Sequence, residues 1–209
     1  MKRTWLLVLL TGLLFSGFSG LPGIFADAKG TEDAISAFEL DKDHTTLGFK
    51  VKHLGISWVS GKFDTFTGKI MVKAGKLVAA EANIETASVD TDNAKRDEHL
   101  RSDEFLNTAK FAAITFKSKN VVHDGENVTI TGDLTLCGQT REITLKGTFG
   151  GIVKVADWKM DKAGLELNGR INRQDFGLKF SKLLGTGELM VGDDVFLKIE
   201  IEGNRPAGG

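Results

Sequence analysis

The chain has 209 residues and a formal net charge of −1, and its basic and acidic residues are interspersed. It carries no basic stripe, so it lacks the electrostatic footprint of a nucleic-acid-binding protein. Cys137 is the single cysteine, so no intramolecular disulfide can stabilise the fold. No His, Lys or Arg stands within two residues of Cys137, and we interpret it as a structural residue near a strand end.

The N-terminus has the pattern of a secretory signal peptide. Lys2 and Arg3 supply positive charge, residues 5–18 form an apolar run, and residues 26–28 read Ala-Asp-Ala. The run is interrupted by glycine and polar residues and is shorter than the ~20 apolar residues that a membrane span needs. We therefore predict cleavage after Ala28 and a periplasmic or secreted protein.

Four segments are expected along the chain. Residues 1–28 are the predicted signal peptide and residues 29–36 a polar lead-in. The length of the remainder suits one domain with a substantial core, which we place at 37–203. Residues 204–209 complete the chain as a tail.

The first half of the domain alternates apolar and polar side chains with the period of a β-strand. Residues 37–41 suggest a first strand, and 44–54 alternate clearly, with Phe49 and Val51 on the apolar face. A second extended run follows at 58–72. A further alternating stretch at 77–84 completes this half, with Ala80, Ala82 and Ile84 on its apolar face.

The second half repeats the same pattern after a helical interruption. Residues 111–122 are extended, and Asp124-Gly125 is a strong hairpin signal. The next alternating strands cover 128–136 and 143–149. Gly150-Gly151 is interpreted as a turn into a further strand.

The last part of the chain completes a fully antiparallel pattern. Residues 165–171 alternate, 172–187 are interpreted as a loop, and 195–201 form the final strand. About eight strands with one apolar face must stack on a second sheet or close on themselves. The domain has no proline in its body, whereas open sheets often protect their edges with proline. We predict an all-β fold, with an eight-stranded antiparallel barrel favoured over a sandwich.

Residues 92–107 form the one stretch that breaks the alternation. It is charge-dense and free of β-branched residues, and Thr91 or Asp92 could cap a helix that starts there. Ser102 offers a second cap, so two short turns are also possible. A helix would bring Arg96 and His99 to one face.

Several apolar-face positions hold small residues, which leaves space inside a barrel or marks sharp bends of the sheet. The bulky residues on that face have no charged partner among them, and this favours an apolar cavity. The predicted lining is Phe49, Val51, Phe63, Ala80, Ala82, Ile84, Phe116, Ile130, Gly132, Leu134, Leu145, Gly147, Leu167 and Gly169.

Two irregular segments concentrate the polar candidates. The first carries Arg96, Asp97 and His99, and the second carries Arg173 and Asp175. They could pair with one another and close a barrel end, contact a ligand head group, or act in catalysis. The sequence has no zinc-binding histidine spacing, nucleophile elbow or phosphate loop. We therefore expect neither a metal site nor an enzyme.

Five motifs resemble the YceI-like family in the order in which that family has them. They are FKVKHLG at 49–55, VSGKF at 59–63, RDEHL at 96–100, GDLT at 132–135 and RQDFGL at 173–178. The resemblance spans about residues 38–203. One departure is that Ala112 follows Phe111, where the family often has proline.

The resemblance implies a lipocalin-like barrel, usually exported to the periplasm, that binds a polyisoprenoid or another long amphiphile in its core. It transfers no catalytic residue. We expect a carrier or sequestering protein that has no cofactor other than its lipid. Transient membrane contact and a dimer are possible. The first alternative function is an enzyme that acts on a lipid head group through His99 and Asp97. The second is a packed barrel without a ligand.

Overall fold

The computed structural model describes residues 34–208 except 181, 184, 186 and 188. The predicted signal peptide lies outside the described residues. The described residues form eleven strand segments, one α-helix and three short 3-10 helices. The strands and helix are β1 (Ser36–Leu40), β2 (Thr46–His53), β3 (Ser57–Phe63), β4 (Phe66–Lys73), β5 (Lys76–Glu85), β6 (Val89–Asp90), α1 (Ala94–Arg101), β7 (Ala113–Asp124), β8 (Asn127–Leu136), β9 (Gln139–Val155), β10 (Met160–Asn172) and β11 (Val191–Pro206), and the 3-10 helices are Thr86–Ser88, Ala156–Trp158 and Arg173–Phe176.

The eleven segments make eight barrel strands. β11 pairs with β10 on one side and with β1 and β2, end to end, on the other. β3 pairs with β2 and β4 pairs with β1, so β3 and β4 together form one bent strand. β6 pairs with β3 and β5 pairs with β4, so β5 and β6 form another. Every pairing is antiparallel, and the ring continues from β5 through β7, β8, β9 and β10. The predicted eight-stranded closed barrel is confirmed.

The turns divide the barrel into two ends. The segments 54–56, 91–112, 137–138 and 173–190 lie at one end, which we call the helix end because it includes α1. The turns at 74–75, 125–126 and 156–159 lie at the other end. Among the described residues no helix is both long and apolar enough to cross a membrane.

The end opposite the helix is filled by side chains. The apolar residues packed there are almost fully buried: Phe38, Ile70, Val72, Leu77, Val128, Ile130, Phe149 and Leu165. Such packing excludes water and stabilises this half as an ordinary protein core, since a fully buried residue of this size contributes about 1.5–3 kcal/mol.

The expectation of a turn at Gly150-Gly151 is wrong. β9 continues through both glycines to Val155. Gly151 pairs with Gly164 and Phe149 pairs with Leu165, so Gly150 is the extra residue of a bulge. Gly151 has a φ of +83°. Glycine therefore supplies a bend within one strand here, where the sequence pattern suggested an end to it.

The junction between β1 and β2 is fastened to β11 by side chains. Thr45 Oγ1 donates to the Glu202 carbonyl and accepts from the Glu202 N–H, both at 3.2 Å. Asn204 Nδ2 donates to Asp41 Oδ2 at 2.7 Å, and the backbone N–H of Asp43 donates to Asp41 Oδ1 at 2.9 Å. The bonds from Thr45 and Asn204 connect the junction to β11, beside the backbone bond from the Asp41 N–H to the Glu202 carbonyl at 2.8 Å, while the Asp43 bond orders the junction itself.

Two glycines of β9 differ in how much room they have, and this gives a test of barrel packing. A Cβ at Gly147 would lie 1.8 Å from the Glu166 carbonyl oxygen, whereas a Cβ at Gly150 would meet its first neighbour at 3.7 Å. Gly147→Ala should lower the free energy of unfolding by about 1–3 kcal/mol through overpacking. Gly150→Ala is the control and should change it by less. Urea unfolding of both variants makes the comparison, and equal stability would contradict the described approach of β9 and β10.

Asp41 predicts a pH dependence. The hydrogen bond from Asn204, with smaller contributions from His44 and Asp43, holds the pKa of Asp41 well below its usual range. A depressed folded pKa gives stability that is present above the unfolded pKa of about 3.9 and is lost as pH falls below it. Asp41→Asn should therefore reduce stability at pH 7 and flatten its fall between about pH 4 and pH 2.

Urea unfolding of wild type and Asp41→Asn at a series of pH values checks this expectation. Asp43→Asn, which removes an exposed carboxylate two residues away, is the matched control. The same pH slope in wild type and Asp41→Asn would contradict the assignment.

Candidate functional site

The helix-end half of the barrel contains an apolar cavity of about 200 Å³. All eight barrel strands contribute to its wall, and Leu100, Phe105 and Leu106 cover it from the segment that contains α1. Several inward side chains on this wall, including Phe49, Phe63 and Ile84, are only partly buried although they pack against the core. We attribute their residual accessibility to the cavity itself.

Ten of the fourteen predicted lining residues line this cavity. They are Phe49, Val51, Phe63, Ala80, Ala82, Ile84, Phe116, Leu134, Leu145 and Leu167. Whether they contact a ligand stays a prediction.

The other four predicted lining residues lie elsewhere. Ile130 is fully buried in the packed half. A Cβ at Gly132 would lie 2.7 Å from the Phe116 ring, and one at Gly169 would lie 2.5 Å from Leu145. Gly147 is closed off by the backbone of Glu166. The three glycines thus permit close packing of neighbours and do not enlarge the cavity.

Sequence reasoning missed part of the wall. The final strand contributes Val195, Leu197, Ile199 and Ile201, and the helix end contributes residues beyond the regular strands. The alternation of the final strand was visible in the sequence and could have placed its apolar face inside. The positions after the helix, Phe105 above all, carry no such periodic signal.

Charge is sparse on the cavity wall. Among the described lining residues only Glu81 and Arg173 carry a charged side chain. Glu81 pairs with Lys69 at 3.2 Å, and both of these side chains are more than a third exposed. Arg173 is buried, so it is the charged group that the helix end of the cavity offers.

Arg173 is held by the segment it belongs to and by the start of β11. Its guanidinium donates to the carbonyls of Leu178, Gly192 and Val191 and lies 2.9 Å from Asp193. Burial lowers the pKa of Arg173, and the charge of Asp193 opposes that shift. Asp175 is exposed on the same 3-10 turn. Arg173 therefore fixes the loop against the barrel.

The helix begins later than its capping residues suggested. Asn93 is the N-cap, and its side chain accepts the Arg96 N–H at 3.0 Å. Asp92 precedes it with a φ of +57°. Ser102 is the C-cap, so it ends α1 and does not begin a second helix. Three consecutive residues with good capping side chains made the boundary ambiguous in the sequence.

Arg96 and Asp97 are both bound to Thr91, which follows β6. Asp97 is buried and accepts from the Thr91 N–H at 3.0 Å and from its hydroxyl at 2.5 Å. Arg96 donates to the Thr91 hydroxyl at 2.7 Å and to its carbonyl at 2.5 Å. Thr91 thus fixes the first turn of α1 to the end of β6.

The expected polar pairing between the two irregular segments is therefore wrong. Among the described residues the polar partners are local, Thr91 for Arg96 and Asp97 and Asp193 for Arg173. The segments meet through aromatic rings instead. Phe105 stacks on Phe180 with ring centroids 4.6 Å apart, and the His99 ring meets both edge-on, at 4.9 Å and 5.8 Å. His99 also pairs with Glu104, five residues along the chain.

Two further groups bear on possible chemistry. Asp41, His44 and Glu202 lie close enough together to hold a metal ion, but Lys162 already pairs with Glu202 and lies 3.5 Å from Asp41. The ammonium thus supplies the positive charge that these carboxylates need. Burial raises the pKa of the Cys137 thiol, which makes it a poor nucleophile.

Comparison with known proteins places this geometry in a family. Residues 38–203 match the YceI-like domain. The chain is 39% identical over 183 residues to the protein YceI of Escherichia coli O17:K52:H18, a match that covers 86% of this chain and 88% of that one. It is 36% identical to the crystal structure of the Campylobacter jejuni YceI protein, with a TM-score of 0.65 and coverage of 79% and 96%.

A more distant structure shares the fold. It is described as a polyisoprenoid binding domain from Saccharophagus degradans, with 16% identity, a TM-score of 0.59 and coverage of 83% of this chain and all of that one. The match of the domain over most of the chain and the identity to relatives of similar length agree with one another. The chain belongs to the YceI-like family.

Proposed function

We propose that the protein binds a polyisoprenoid or a similar long-chain amphiphile in its barrel and carries or sequesters it after export. The observation that carries the proposal is the cavity wall, which is apolar on every strand and packed shut at the end opposite α1. The family and the polyisoprenoid-binding relative support the same ligand class. The signal-peptide pattern of residues 1–28 supports export.

The energetics of an apolar wall favour a hydrocarbon chain. Burying one methylene stabilises by about 0.8 kcal/mol, so a five-carbon prenyl unit contributes on the order of 3–4 kcal/mol before costs. Association costs about 4–15 kcal/mol, so a few such units are needed. A long chain supplies them without any specific polar contact.

The size of the cavity adds a requirement. Its volume of about 200 Å³ lies below the roughly 300–1,000 Å³ of ordinary ligand pockets. A long chain must therefore displace side chains or extend past the helix end. Phe105 and Phe180 are stacked where the two irregular segments meet, so we propose that this aromatic pair moves on loading.

The proposal assigns no catalytic step to the polar residues of the helix end. The Asp97 carboxylate accepts two hydrogen bonds from Thr91 and is buried, and His99 pairs with Glu104. A general base must lie within hydrogen-bond reach of the proton that it removes. Asp97 is instead buried and bound to Thr91, so its role is structural. Arg173 is likewise bound to three carbonyls and to Asp193, so ligand binding is assigned to the apolar wall.

Filling the cavity should abolish ligand uptake. Ala82 lines the cavity, and its neighbour Asn83 is exposed on the other face of β5. Ala82→Phe should reduce the lipid recovered by solvent extraction at least tenfold, because the added ring occupies the space of the chain. Asn83→Phe is the matched control and should retain wild-type lipid.

Mass spectrometry of solvent extracts measures the amount of lipid bound to each protein expressed in its host. Thermal unfolding confirms that both variants fold. Equal lipid in wild type and a folded Ala82→Phe would place the ligand outside the barrel. Wild type without any prenyl lipid, and without thermal protection by added prenyl lipid, would overturn the carrier function.

Removing the exposed histidine separates binding from catalysis. His99→Ala should carry the same lipid species as wild type, in an amount within about twofold. The reason is that His99 lies at the rim and contacts Glu104 and two rings. The measurement is mass spectrometry of lipid incubated with wild type and variant. A product formed by wild type and absent with the variant would instead support the enzyme alternative.

A further inference from the structure

An aromatic and basic surface lies on the outside of the barrel beside the helix end. We call it the Trp58 patch and define it as Lys50, Lys52, Ile56, Trp58 and Phe196. Ile56 is 81% exposed and Trp58 is 44% exposed, both large apolar side chains. Strand pairing sets Lys52 opposite Trp58 and Lys50 opposite Phe196, which puts these four residues on one outer face.

The lysines of the patch lie against rings. The Lys52 ammonium is 4.5 Å from the Trp58 ring centroid, and the Lys50 ammonium is 5.0 Å from it. Lys50 is also 5.9 Å from the Phe196 ring, which meets Trp58 edge-on at 5.4 Å. Such contacts hold positive charge beside exposed aromatic surface.

The charges of the patch differ from those around it. Lys62, Arg170 and Lys198 on the neighbouring outer face each pair with a carboxylate. In the part of the chain that the structure describes, Lys50 and Lys52 have no such salt bridge. Their charge is therefore available to an anionic partner.

The patch adjoins the helix end of the cavity. Ile56 lies in the turn between β2 and β3, and that turn is bound to the chain before β11 by the hydrogen bond from the Leu54 N–H to the Met190 carbonyl at 2.9 Å. Val51, on the inner face between Lys50 and Lys52, lines the cavity. A partner that covers the patch thus reaches the end of the barrel through which we expect lipid to pass.

We infer that the Trp58 patch docks the barrel on a bilayer that contains anionic phospholipid, with the helix end turned towards the membrane. This inference rests on the proposed lipid-carrier function, since docking would place the cavity beside its source or acceptor. Tryptophan is favoured at the head-group level of membranes, and lysines near an anionic surface strengthen attachment. Ile56, at the tip of its turn, is the side chain that would enter the acyl region.

A second copy of the chain fits the patch less well. In a symmetric dimer the same patch meets itself, which would bring Lys50 and Lys52 towards their own counterparts. An anionic bilayer meets the same lysines with opposite charge. The unpaired lysines therefore favour the membrane over self-association.

Vesicle binding tests the inference. The chain from Lys29 retains every described barrel strand, and the solved Campylobacter relative consists almost wholly of the matched region. Flotation with phosphatidylcholine vesicles that contain phosphatidylglycerol should recover the protein, and pure phosphatidylcholine should recover much less. Lys50→Gln with Lys52→Gln should weaken binding roughly 25-fold, from about fivefold per lysine.

The controls separate charge from position. Lys117→Gln with Lys146→Gln removes the same charge from exposed positions on β7 and β9, and should leave binding within about twofold. With Trp158→Phe, Trp58 is the one tryptophan after residue 28. Its emission should then shift to the blue on anionic vesicles and be quenched by brominated acyl chains.

The outcomes divide cleanly. Equal vesicle binding by the two double variants, or no preference for anionic vesicles, overturns the inference. A wild-type protein that is a dimer in solution, and whose dimer is altered by Lys50→Gln with Lys52→Gln, also overturns it. Lipid content measured by mass spectrometry is read separately. Protein that carries prenyl lipid but ignores vesicles refutes docking alone, whereas protein without prenyl lipid refutes the carrier function.

Discussion

The pairing of β11 along both of its edges is the constraint on which the rest of the structure depends. This strand bonds to β10 on one side and to β1 and β2 on the other, so the last strand of the chain seals the first to the ring. A closed ring gives every strand a neighbour on both sides and an inner face that is turned away from solvent. At the junction of β1 and β2, the side chains of Asp41 and Thr45 add hydrogen bonds to β11 beside the backbone bond from the Asp41 N–H to the Glu202 carbonyl.

Closure alone does not decide whether the interior is a core or a cavity. In this barrel it is both. Phe38, Ile70 and Phe149 belong to the half that is packed shut, while Phe49, Phe63 and Phe116 surround the open space of the helix-end half. The packed half supplies an ordinary core, whereas side chains leave the other half incompletely filled. A hydrocarbon chain that enters from the helix end would complete the packing that the side chains leave unfinished.

The sequence predicted the barrel and most of its wall because both follow from a period of two. It could not separate Ala80 and Ala82, which line the cavity, from Gly132, Gly147 and Gly169, which do not. All five share the inner face, but the space at each depends on how closely a different strand approaches, as the Glu166 carbonyl does at Gly147. That distance is set by twist and bulges, which the alternation does not encode.

The helix end was harder to predict for a related reason. The Arg, Asp and His residues were identified, but their partners were not. Thr91 lies only five residues before Arg96, and its capping side chain suggested the start of a helix, whereas in the fold it bonds to Arg96 and Asp97. Asp193 lies near the start of β11 and pairs with Arg173 across the loop. The contact between the two segments proved aromatic, through Phe105 and Phe180, where charge complementarity had suggested ion pairs. Irregular segments carry no period from which side-chain direction can be inferred.

If a lipid chain lies inside the barrel as proposed, its position can be measured directly. A crystal structure with a prenyl lipid brominated at the end of its chain would locate that end by anomalous scattering. A chain bound in the cavity should give a bromine peak within the barrel, beside Ala80 and Ile70, where the cavity meets the packed half. A bromine peak on the outer surface, with the cavity volume unchanged, would contradict the proposal.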